Sequence, residues 1–413
     1  MKKITRLIAW ASLAVLACSG TEPNEEGDLV AEKTGSMMTT LAPRSAPHRE
    51  FAAGCGSGDF TKAGTATLTR APFLQQITST NALVVFRSNA AESIEVEVTT
   101  VDGAPVATVV AATDATVAGG VQKVARVSDL APSTIYCYAL RDGARALTGR
   151  AGFRTAPPAG TGAAVRFAVW GDSGYGGSDQ AALFSQIMSV PFDLVLHTGD
   201  LAYDAGTRSQ FERTVFQVYA PLLREFAFFP VSGNHEYETE EAAPYLESFV
   251  LPENGDHERY YSFDWGDVHF VGLDTERIGA QQIKWLDADL MINRLPWTIV
   301  LGHRPPYSSG EHGGDEDFRR QIIPVLEKYQ VPLVLSGHEH HYERTHVRRG
   351  VTYIVTGGGG RGTRPVGGSS FTAFAEAVIH FLFIEIQGNR LVLHAIDGVG
   401  REFDQTVIEL SAT

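Results

Sequence analysis

The chain has 413 residues, of which 44% are hydrophobic and 20% are charged, and its formal net charge at pH 7 is −14. This length exceeds what one ordinary domain needs, and the composition is that of globular proteins with buried cores. Because nucleic-acid phosphates are bound by basic surfaces, the acidic balance argues against nucleic acid as the main partner. It also means that any anion site has to create its own local positive field.

The first residues have the features of an export signal. The basic start MKKITR precedes an apolar run over residues 7–17, which is too short to span a bilayer as a helix. We therefore expect residues 1–17 to be a signal peptide. Small residues before Cys18 resemble a bacterial lipoprotein signal, in which Cys18 carries the lipid; a plain secretory peptide is the alternative. The expected location is outside the cytoplasm, anchored by lipid to the outer membrane, in the periplasm or at the cell surface.

The next segment lacks hydrophobic periodicity. Residues 18–62 are rich in Gly, Ser, Thr, Pro and Glu, which predicts a disordered linker. Export places Cys55 and Cys137 in an oxidising compartment, where a disulfide is permitted. The sequence leaves two possibilities open, a bridge between these two residues or two unpaired thiols.

Residues 63–157 contain short β-rich runs separated by turns. The clearest runs are Ala82–Phe86, Ile94–Val98 and Thr134–Tyr138, and Asp-Gly turns follow the second and third of them. This spacing predicts a small antiparallel β-sandwich. The segment Leu130–Tyr136 resembles the corner that precedes a late strand in fibronectin type III domains.

From Val165 onward, compact apolar strands alternate with helical patterns, which is typical of an α/β domain with buried sheets. We assign residues 158–413 to this domain and expect the strand-rich tail, 377–410, to complete its second sheet. The predicted strands are Val165–Trp170, Phe192–His197, Phe228–Val231, His269–Leu273, Thr298–Leu301 and Val331–Leu335, and the predicted helices are Gln180–Met188 and Phe318–Tyr329.

Five short motifs supply residues with metal-binding side chains. They are Gly171-Asp172, Gly199-Asp200-Leu201-Ala202-Tyr203, Gly233-Asn234-His235-Glu236, Gly302-His303 and Gly337-His338-Glu339-His340. Each motif taken alone is compatible with an ordinary turn. Together they offer two carboxylates, a phenol, an amide and three imidazoles, most of them at or just past the end of a predicted strand. Loops that leave strand ends on a rigid sheet commonly carry function, and this inventory suits two metal ions that share one bridging ligand.

The ordered motif set resembles that of the metallophosphoesterases, and within them the purple acid phosphatases. Flanking segments match as well, among them the stretch from His303 to Tyr307, Tyr342-Glu343-Arg344, and residues 351–358. The resemblance extends from about residue 66 to the end of the chain. It implies an N-terminal fibronectin type III-like β-sandwich followed by a four-layer αββα metallophosphoesterase domain.

The resemblance also implies a set of metal ligands. Asp172, Tyr203 and His340 would hold Fe(III), Asn234, His303 and His338 would hold a divalent Zn, Mn or Fe ion, and Asp200 would bridge the two. This division suits the chemistry, because hard anionic ligands prefer a trivalent ion and neutral nitrogen ligands suit a borderline divalent one. A metal pair of this kind clamps a phosphate and activates a bound hydroxide as the nucleophile. The implied activity is phosphomonoester hydrolysis with an acidic optimum.

Two further histidines are candidates for catalytic roles. His235 matches a family residue that hydrogen-bonds the phosphate. His312 lies nine positions after His303, where plant members of the family carry a catalytic histidine, and it is a candidate general acid for the leaving group. The alternative for His312 is a solvent-facing turn residue.

Two other functions remain open from the sequence. One is a phosphodiesterase or nucleotide hydrolase of the same superfamily, against which Tyr203 argues, because many of those relatives have a different residue there. The other is a non-catalytic surface binding protein with a relict metal site, against which the complete ligand set argues.

Overall fold

The computed structural model describes residues 47–56, 68–89, 93–117 and 120–410. The predicted signal peptide, Cys18 and most of the predicted linker lie outside these ranges. All described residues belong to one unit, which spans residues 40–413. None of the helices in the described ranges has the length and apolar character needed to cross a membrane.

The prediction of a linker that is disordered up to residue 62 is wrong over its later part. Pro47–Cys55 forms a helix, α1, whose Phe51 side chain is buried with its ring centroid 5.3 Å from that of Phe226. Cys55 is joined to Cys137 by a disulfide across a sequence separation of 82 residues. Tertiary packing and the covalent bond thus order a segment whose own composition does not favour a helix.

Nine strands form the predicted β-sandwich. They are β1 (Leu68–Gln75), β2 (Ala82–Ser88), β3 (Glu95–Thr100), β4 (Pro105–Val110), β5 (Ala112–Val117), β6 (Gly120–Val127), β7 (Ile135–Asp142), β8 (Arg145–Ala146) and β9 (Ala151–Arg154). One antiparallel sheet has the order β1-β2-β6-β5, and the other has the order β4-β3-β7-β8 with β9 paired to β7. The Tyr136 hydroxyl accepts a hydrogen bond of 2.9 Å from the amide of Ala131, which closes the corner before β7.

Thirteen further strands build the rest of the described chain. They are β10 (Val165–Trp170), β11 (Leu194–His197), β12 (Ala227–Pro230), β13 (Tyr261–Trp265), β14 (Val268–Gly272), β15 (Trp297–Leu301), β16 (Leu333–Ser336), β17 (Tyr342–Thr345), β18 (Thr352–Thr356), β19 (Thr372–Glu376), β20 (His380–Gln387), β21 (Arg390–Asp397) and β22 (Glu402–Glu409).

Most helices of this region are short. They are α2 (Ser178–Ile187), α3 (Arg208–Phe211), α4 (Ala220–Leu223), α5 (Asn234–Tyr237), α6 (Ala243–Leu246), α7 (Ala280–Ile292) and α8 (Ile323–Lys328), together with π-helical turns over Glu212–Phe216 and Phe318–Ile322 and a 3-10 turn over Glu240–Ala242. Both predicted helices are present, although the second begins as a π-helical turn before α8.

The thirteen strands form two sheets. The first has the order β12-β11-β10-β20-β21-β22, and the second has the order β13-β14-β15-β16-β18-β17-β19. The prediction that the C-terminal tail completes the second sheet is wrong. Its strand β20 pairs antiparallel with β10, so the tail extends the first sheet instead. Hydrophobic alternation shows that a segment is a strand but does not reveal its neighbour, which explains the error.

The two sheets pack face to face. The rings of Phe229 and Phe263 stack with centroids 3.6 Å apart, and the rings of Phe167 and Phe270 meet edge-on at 5.2 Å. On β14, successive residues point to opposite faces: Phe270 belongs to the core between the sheets, and Val271 belongs to a second core beneath α7 and α8. Both faces of the second sheet are therefore covered, as its nearly continuous apolar strands predict.

The sandwich docks on the α/β region through buried polar contacts. Arg70 Nε donates to Oε1 of Glu212 at 3.0 Å, and Arg87 Nη1 donates to the same oxygen at 3.2 Å. The Arg70 guanidinium lies 3.5 Å from the ring centroid of Phe216. Burial lowers the pKa of Arg70 to about 10, despite the neighbouring Glu212 carboxylate. The Gln75 side chain donates to the carbonyl of Phe228 at 2.9 Å, so the junction has specific partners on both sides.

Candidate metal centre

Strand ends bring the predicted ligands together. Asp172 follows β10, and Asp200 and Tyr203 follow β11, which runs parallel to β10. His303 follows β15, and the segment with His338 follows the parallel neighbour β16. Because parallel strands end at the same edge of a sheet, loops from both sheets converge at one end of the layered fold.

Several non-glycine residues at these strand ends have positive φ angles, a backbone conformation that residues with a Cβ atom rarely adopt. Asp172, Asp200 and His338 have φ angles of 59°, 54° and 70°. Left-handed backbone conformations of non-glycine residues are found where surrounding structure enforces them, often at functional sites. Gly199 also has a positive φ, of 95°, and a Cβ there would lie 2.6 Å from Nδ1 of His303. Glycine is thus required for the close approach of the Asp200 loop to this imidazole.

The carboxylate of Glu236 holds the Asp200 loop in place. Its Oε2 accepts from the amides of Asp200 at 2.9 Å and Gly233 at 2.8 Å, and its Oε1 accepts from those of Leu201 at 2.9 Å and Ala202 at 3.1 Å. The side chain is fully buried. Its place in the Gly-Asn-His-Glu motif predicts only that Glu236 supports neighbouring ligands without binding metal itself, and the sequence does not reveal the four amides that it holds.

The Tyr203 hydroxyl is the centre of one half of the cluster. It donates to Oδ2 of Asp200 at 2.8 Å and lies 3.2 Å from Oδ1 of Asp172 and 3.2 Å from Nε2 of His340. Asp172 also accepts from the backbone amide of His338, at 2.9 Å to Oδ2. The other three residues predicted to hold or bridge Fe(III) therefore all contact the Tyr203 hydroxyl.

His303 is the centre of the other half. Its Nε2 lies 3.2 Å from Oδ1 of Asn234 and 3.4 Å from Oδ1 of Asp200, and its Nδ1 lies 2.9 Å from the carbonyl oxygen of Thr198. The rings of His303 and His338 have centroids 5.1 Å apart. Asp200 thus contacts both halves of the cluster, one through each carboxylate oxygen.

Burial changes the proton affinity of these groups. Burial and the adjacent Asp200 raise the pKa of Asp172 well above its usual range, and burial with the two carboxylates does the same for Tyr203. Burial chiefly lowers the pKa of His338 to about 2 and that of His340 to about 4, and it lowers that of His303 well below the usual value. The imidazoles are therefore neutral, which is the form that binds metals.

The donor set fits a metal centre. Ligand atoms of Asp172, Asp200 and His303 all lie within 4.8 Å of one another in the buried interior. Two carboxylates this close, with a phenol and neutral imidazoles around them, leave negative charge in a site where burial is costly unless a cation compensates for it. The residue types are those that bind iron, zinc or manganese.

The structure places both candidate catalytic histidines beside this cluster. The amide of His235 donates to Oδ1 of Asp200 at 3.0 Å, and its ring centroid lies 4.4 Å from that of Tyr203. The His312 side chain is 43% exposed, and its ring centroid lies 4.8 Å from that of His338. The fully buried Glu339 accepts from the amide of His312 at 2.6 Å, which fixes the loop that carries it.

Three arginines lie around the cluster, and no sequence motif gives them a role. Nη1 of Arg304 lies 3.3 Å from Nε2 of His338, and Nη2 of Arg304 donates to Oε2 of Glu276 at 2.8 Å. Arg361 and Arg364 belong to the loop after β18. Because basic residues are common in loops, only their position in the folded chain distinguishes them.

Comparison with known proteins relates the site to a family. Residues 165–342 match the family model described as calcineurin-like phosphoesterase. An uncharacterized protein of Mycobacterium tuberculosis is 28% identical over 273 residues, which cover 55% of this chain and 51% of the relative. Purple acid phosphatase 22 of Arabidopsis thaliana is 34% identical over 202 residues, which cover 44% of this chain and 45% of the relative. The chain thus spans about half the length of these relatives.

The fold agrees with a solved structure. A purple acid phosphatase from yellow lupin seeds superimposes with a TM-score of 0.74 at 21% identity, over 83% of this chain and 75% of the lupin chain. At this identity the match concerns the fold alone. Residues 165–342 are thus similar to calcineurin-like phosphoesterases, and the chain is similar in sequence and in fold to purple acid phosphatases.

Proposed function

We propose that the chain is a phosphomonoester hydrolase with a binuclear metal centre. The observation that carries the proposal is the position of the Tyr203 hydroxyl, in contact with Asp172, Asp200 and His340 at once. A buried phenol among two carboxylates and an imidazole is suited to bind a hard trivalent ion as phenolate.

The contacts support the division of the ligands between two metals that the resemblance implies. Fe(III) would be held by Asp172, Tyr203 and His340, and a divalent Zn, Mn or Fe ion by Asn234, His303 and His338, with Asp200 between them. Two carboxylates and one phenolate carry three negative charges, which leaves the metal pair formally positive and attractive to phosphate on an acidic protein. When bound, such a pair polarises the phosphate and activates water as the nucleophile.

The protein residues have separate tasks in this proposal. The His235 side chain, whose Nε2 lies 3.8 Å from Oδ2 of Asp200, binds a phosphate oxygen. His312, which is more exposed than His235 and lies beside His338, donates the proton that the leaving alkoxide requires. Glu236 and Glu339 keep the two loops in position through their bonds to backbone amides.

Metal analysis and a substrate panel test the proposal together. Protein purified without chelators should contain close to two metal ions per chain, one of them iron, and should hydrolyse monoesters faster than diesters, best at acidic pH. Asp200→Asn should lose activity and most of the metal, whereas Asp317→Asn, at an exposed position on the surface, should change neither. Faster cleavage of diesters would favour the phosphodiesterase alternative. Fully metal-loaded but inactive wild-type protein would favour the non-catalytic one.

The N-terminal segments carry two further proposals. The Tyr136–Ala131 hydrogen bond is of the kind that closes the tyrosine corner of immunoglobulin-like sandwiches, which supports a fibronectin type III-like fold for residues 63–157. The sequence around Cys18 supports export and lipidation. Cys18→Ala should release the protein from the membrane fraction, and unchanged partitioning would leave only a plain signal peptide.

A further inference from the structure

One loop lies against both halves of the candidate metal centre. It follows β18 and carries Arg361 and Arg364. The backbone amide of Arg361 donates to the carbonyl of Asp172 at 3.0 Å, and that of Arg364 donates to the carbonyl of His340 at 2.9 Å. Both arginines are thus fixed to ligand-bearing segments, so their side chains start from defined positions beside the cluster.

The charges of the three nearby arginines are compensated to different extents. Arg304 is paired with Glu276 at 2.8 Å, and Arg361 is paired with Asp204 at 3.2 Å. Arg364 has no ion pair with any residue in the described ranges. Its Nη1 instead donates to the carbonyl of His338 at 3.2 Å and lies 3.3 Å from Nδ1 of His312. Arg364 therefore holds a positive charge next to the candidate general acid without a direct carboxylate partner in the described ranges.

The position of His312 indicates which part of the substrate lies near the Arg364 guanidinium. A general acid has to lie within hydrogen-bonding reach of the oxygen that it protonates, so the leaving alcohol occupies the space beside His312. A substituent on that alcohol then approaches the Arg364 guanidinium. Guanidinium groups bind carboxylates and phosphates through paired N–H donors, and such charge-assisted bonds are the strong ones in proteins.

We propose that Arg364 binds a second anionic group on the alcohol part of the substrate. The preferred substrates are then phosphate monoesters whose alcohol also carries a carboxylate or another phosphate. The inference rests on the proposed phosphomonoesterase function and adds the substrate class to it. Arg361, whose guanidinium lies 5.2 Å from the ring centroid of Tyr203, is already paired with Asp204 and is therefore not assigned this role.

Matched substrate pairs test the inference on the metal-loaded full chain. 3-Phosphoglycerate and glycerol 3-phosphate differ by a carboxylate in place of a hydroxymethyl group, and propane-1,3-diol bisphosphate and monophosphate differ by the second phosphate. We expect kcat/KM to favour the member with the second anionic group in at least one pair by on the order of tenfold, because hydrogen bonds to charged groups contribute that much or more. The pair with the larger ratio identifies the second anion as carboxylate or phosphate.

Variants separate binding of the second anion from positioning of His312. Arg364→Gln should abolish the preference, because it should lower kcat/KM on the order of tenfold more for the member with the second anionic group than for its partner, and Arg364→Lys should retain part of the preference. The control Arg349→Gln, at an 81% exposed arginine paired with Glu327, should keep the preference in full. If Arg364→Gln slows both members of a pair equally, Arg364 acts only on His312 and the inference fails.

Two wild-type results separate failure of this inference from failure of the proposed function. An enzyme that hydrolyses monoesters with equal kcat/KM for both members of each pair would overturn the inference alone. A metal-loaded protein with no activity on any monoester would overturn the proposed function and the inference with it.

Discussion

The Tyr203 hydroxyl donates a hydrogen bond of 2.8 Å to Oδ2 of Asp200, three residues earlier in the same loop. The loop between them therefore presents a phenol and the predicted bridging carboxylate to the same point. Burial and the two adjacent carboxylates raise the pKa of this phenol, so only a cation of high charge density would bind it as phenolate at ordinary pH.

A phenolate bound to Fe(III) gives a ligand-to-metal charge-transfer band in the visible range. The oxidised protein should accordingly be pink to purple, and Tyr203→Phe should remove the band while substantial activity remains, because the phenol is not the nucleophile. Loss of one negative ligand should also make the iron easier to reduce. Absorption spectra and redox titration measure both effects, with Tyr175→Phe, at an exposed tyrosine, as the control that keeps its colour. A colourless oxidised wild type that contains iron would show that Tyr203 is not a ligand.

Glu236→Gln should destabilise the protein and weaken metal binding together. Glutamine offers one acceptor oxygen where Glu236 offers two, and its amide hydrogens would face backbone N–H groups. Leaving buried donors without partners costs about 1–3 kcal/mol in the free energy of unfolding. Denaturant titration and metal analysis should show both losses, and Glu238→Gln, at an exposed position nearby, should show neither. A variant with normal stability and full metal content would mean that the loop holds its shape without this carboxylate.

His312→Ala should slow esters with poor leaving groups far more than activated aryl esters. Alkoxides need a proton as they leave, whereas nitrophenolate does not, and general acid catalysis contributes on the order of 10²–10⁴-fold. Comparison of kcat for an alkyl phosphate and for p-nitrophenyl phosphate measures the difference. His257→Ala, at a 91% exposed histidine, provides the matched control. A small and equal effect on both substrates would reduce His312 to a loop residue.

His269 should make the free energy of unfolding decrease as the pH rises above neutral. Burial alone lowers its pKa, but hydrogen bonds to Asp264 at 2.7 Å and Asp289 at 2.8 Å outweigh burial and raise the pKa to about 9. A pKa above the unfolded value of about 6.5 means that the folded state binds the proton more tightly. The stabilisation is therefore complete below about pH 6.5 and is lost as the pH rises through about 9.

Melting temperatures from pH 5 to 10 test this dependence. His269→Gln should lower the melting temperature at pH 6 and remove most of the alkaline decrease that the wild type shows. His257→Gln should reproduce the wild-type curve, since its side chain is almost fully exposed. If wild type and His269→Gln decline in parallel above pH 7, the decline has another source.

The sequence allowed the clustering of the candidate ligands to be predicted because these residues stand at strand ends. Strands such as Val165–Trp170 are evident from their apolar residues, and the motif after each one supplies a candidate ligand. Tertiary contacts account for what could not be predicted. Glu236 accepts hydrogen bonds from four backbone amides that lie close together only in the folded chain. Arg364 cannot be distinguished from other arginines in the sequence, because only the folded chain places the loop after β18 beside the cluster. Helix α1 likewise depends on the disulfide and on the packing of Phe51.

The junction between the sandwich and the α/β region has a consequence for how the protein unfolds. Arg70 and Arg87 lose their shared carboxylate partner, Glu212, if either part separates from the other. A catalytic fragment that began at residue 158 would expose Phe216 to water and leave the carbonyl of Phe228 without its partner Gln75. The two regions are thus thermodynamically linked across the interdomain boundary. Melting of the sandwich and loss of the metal-bearing loops should occur in a single cooperative transition.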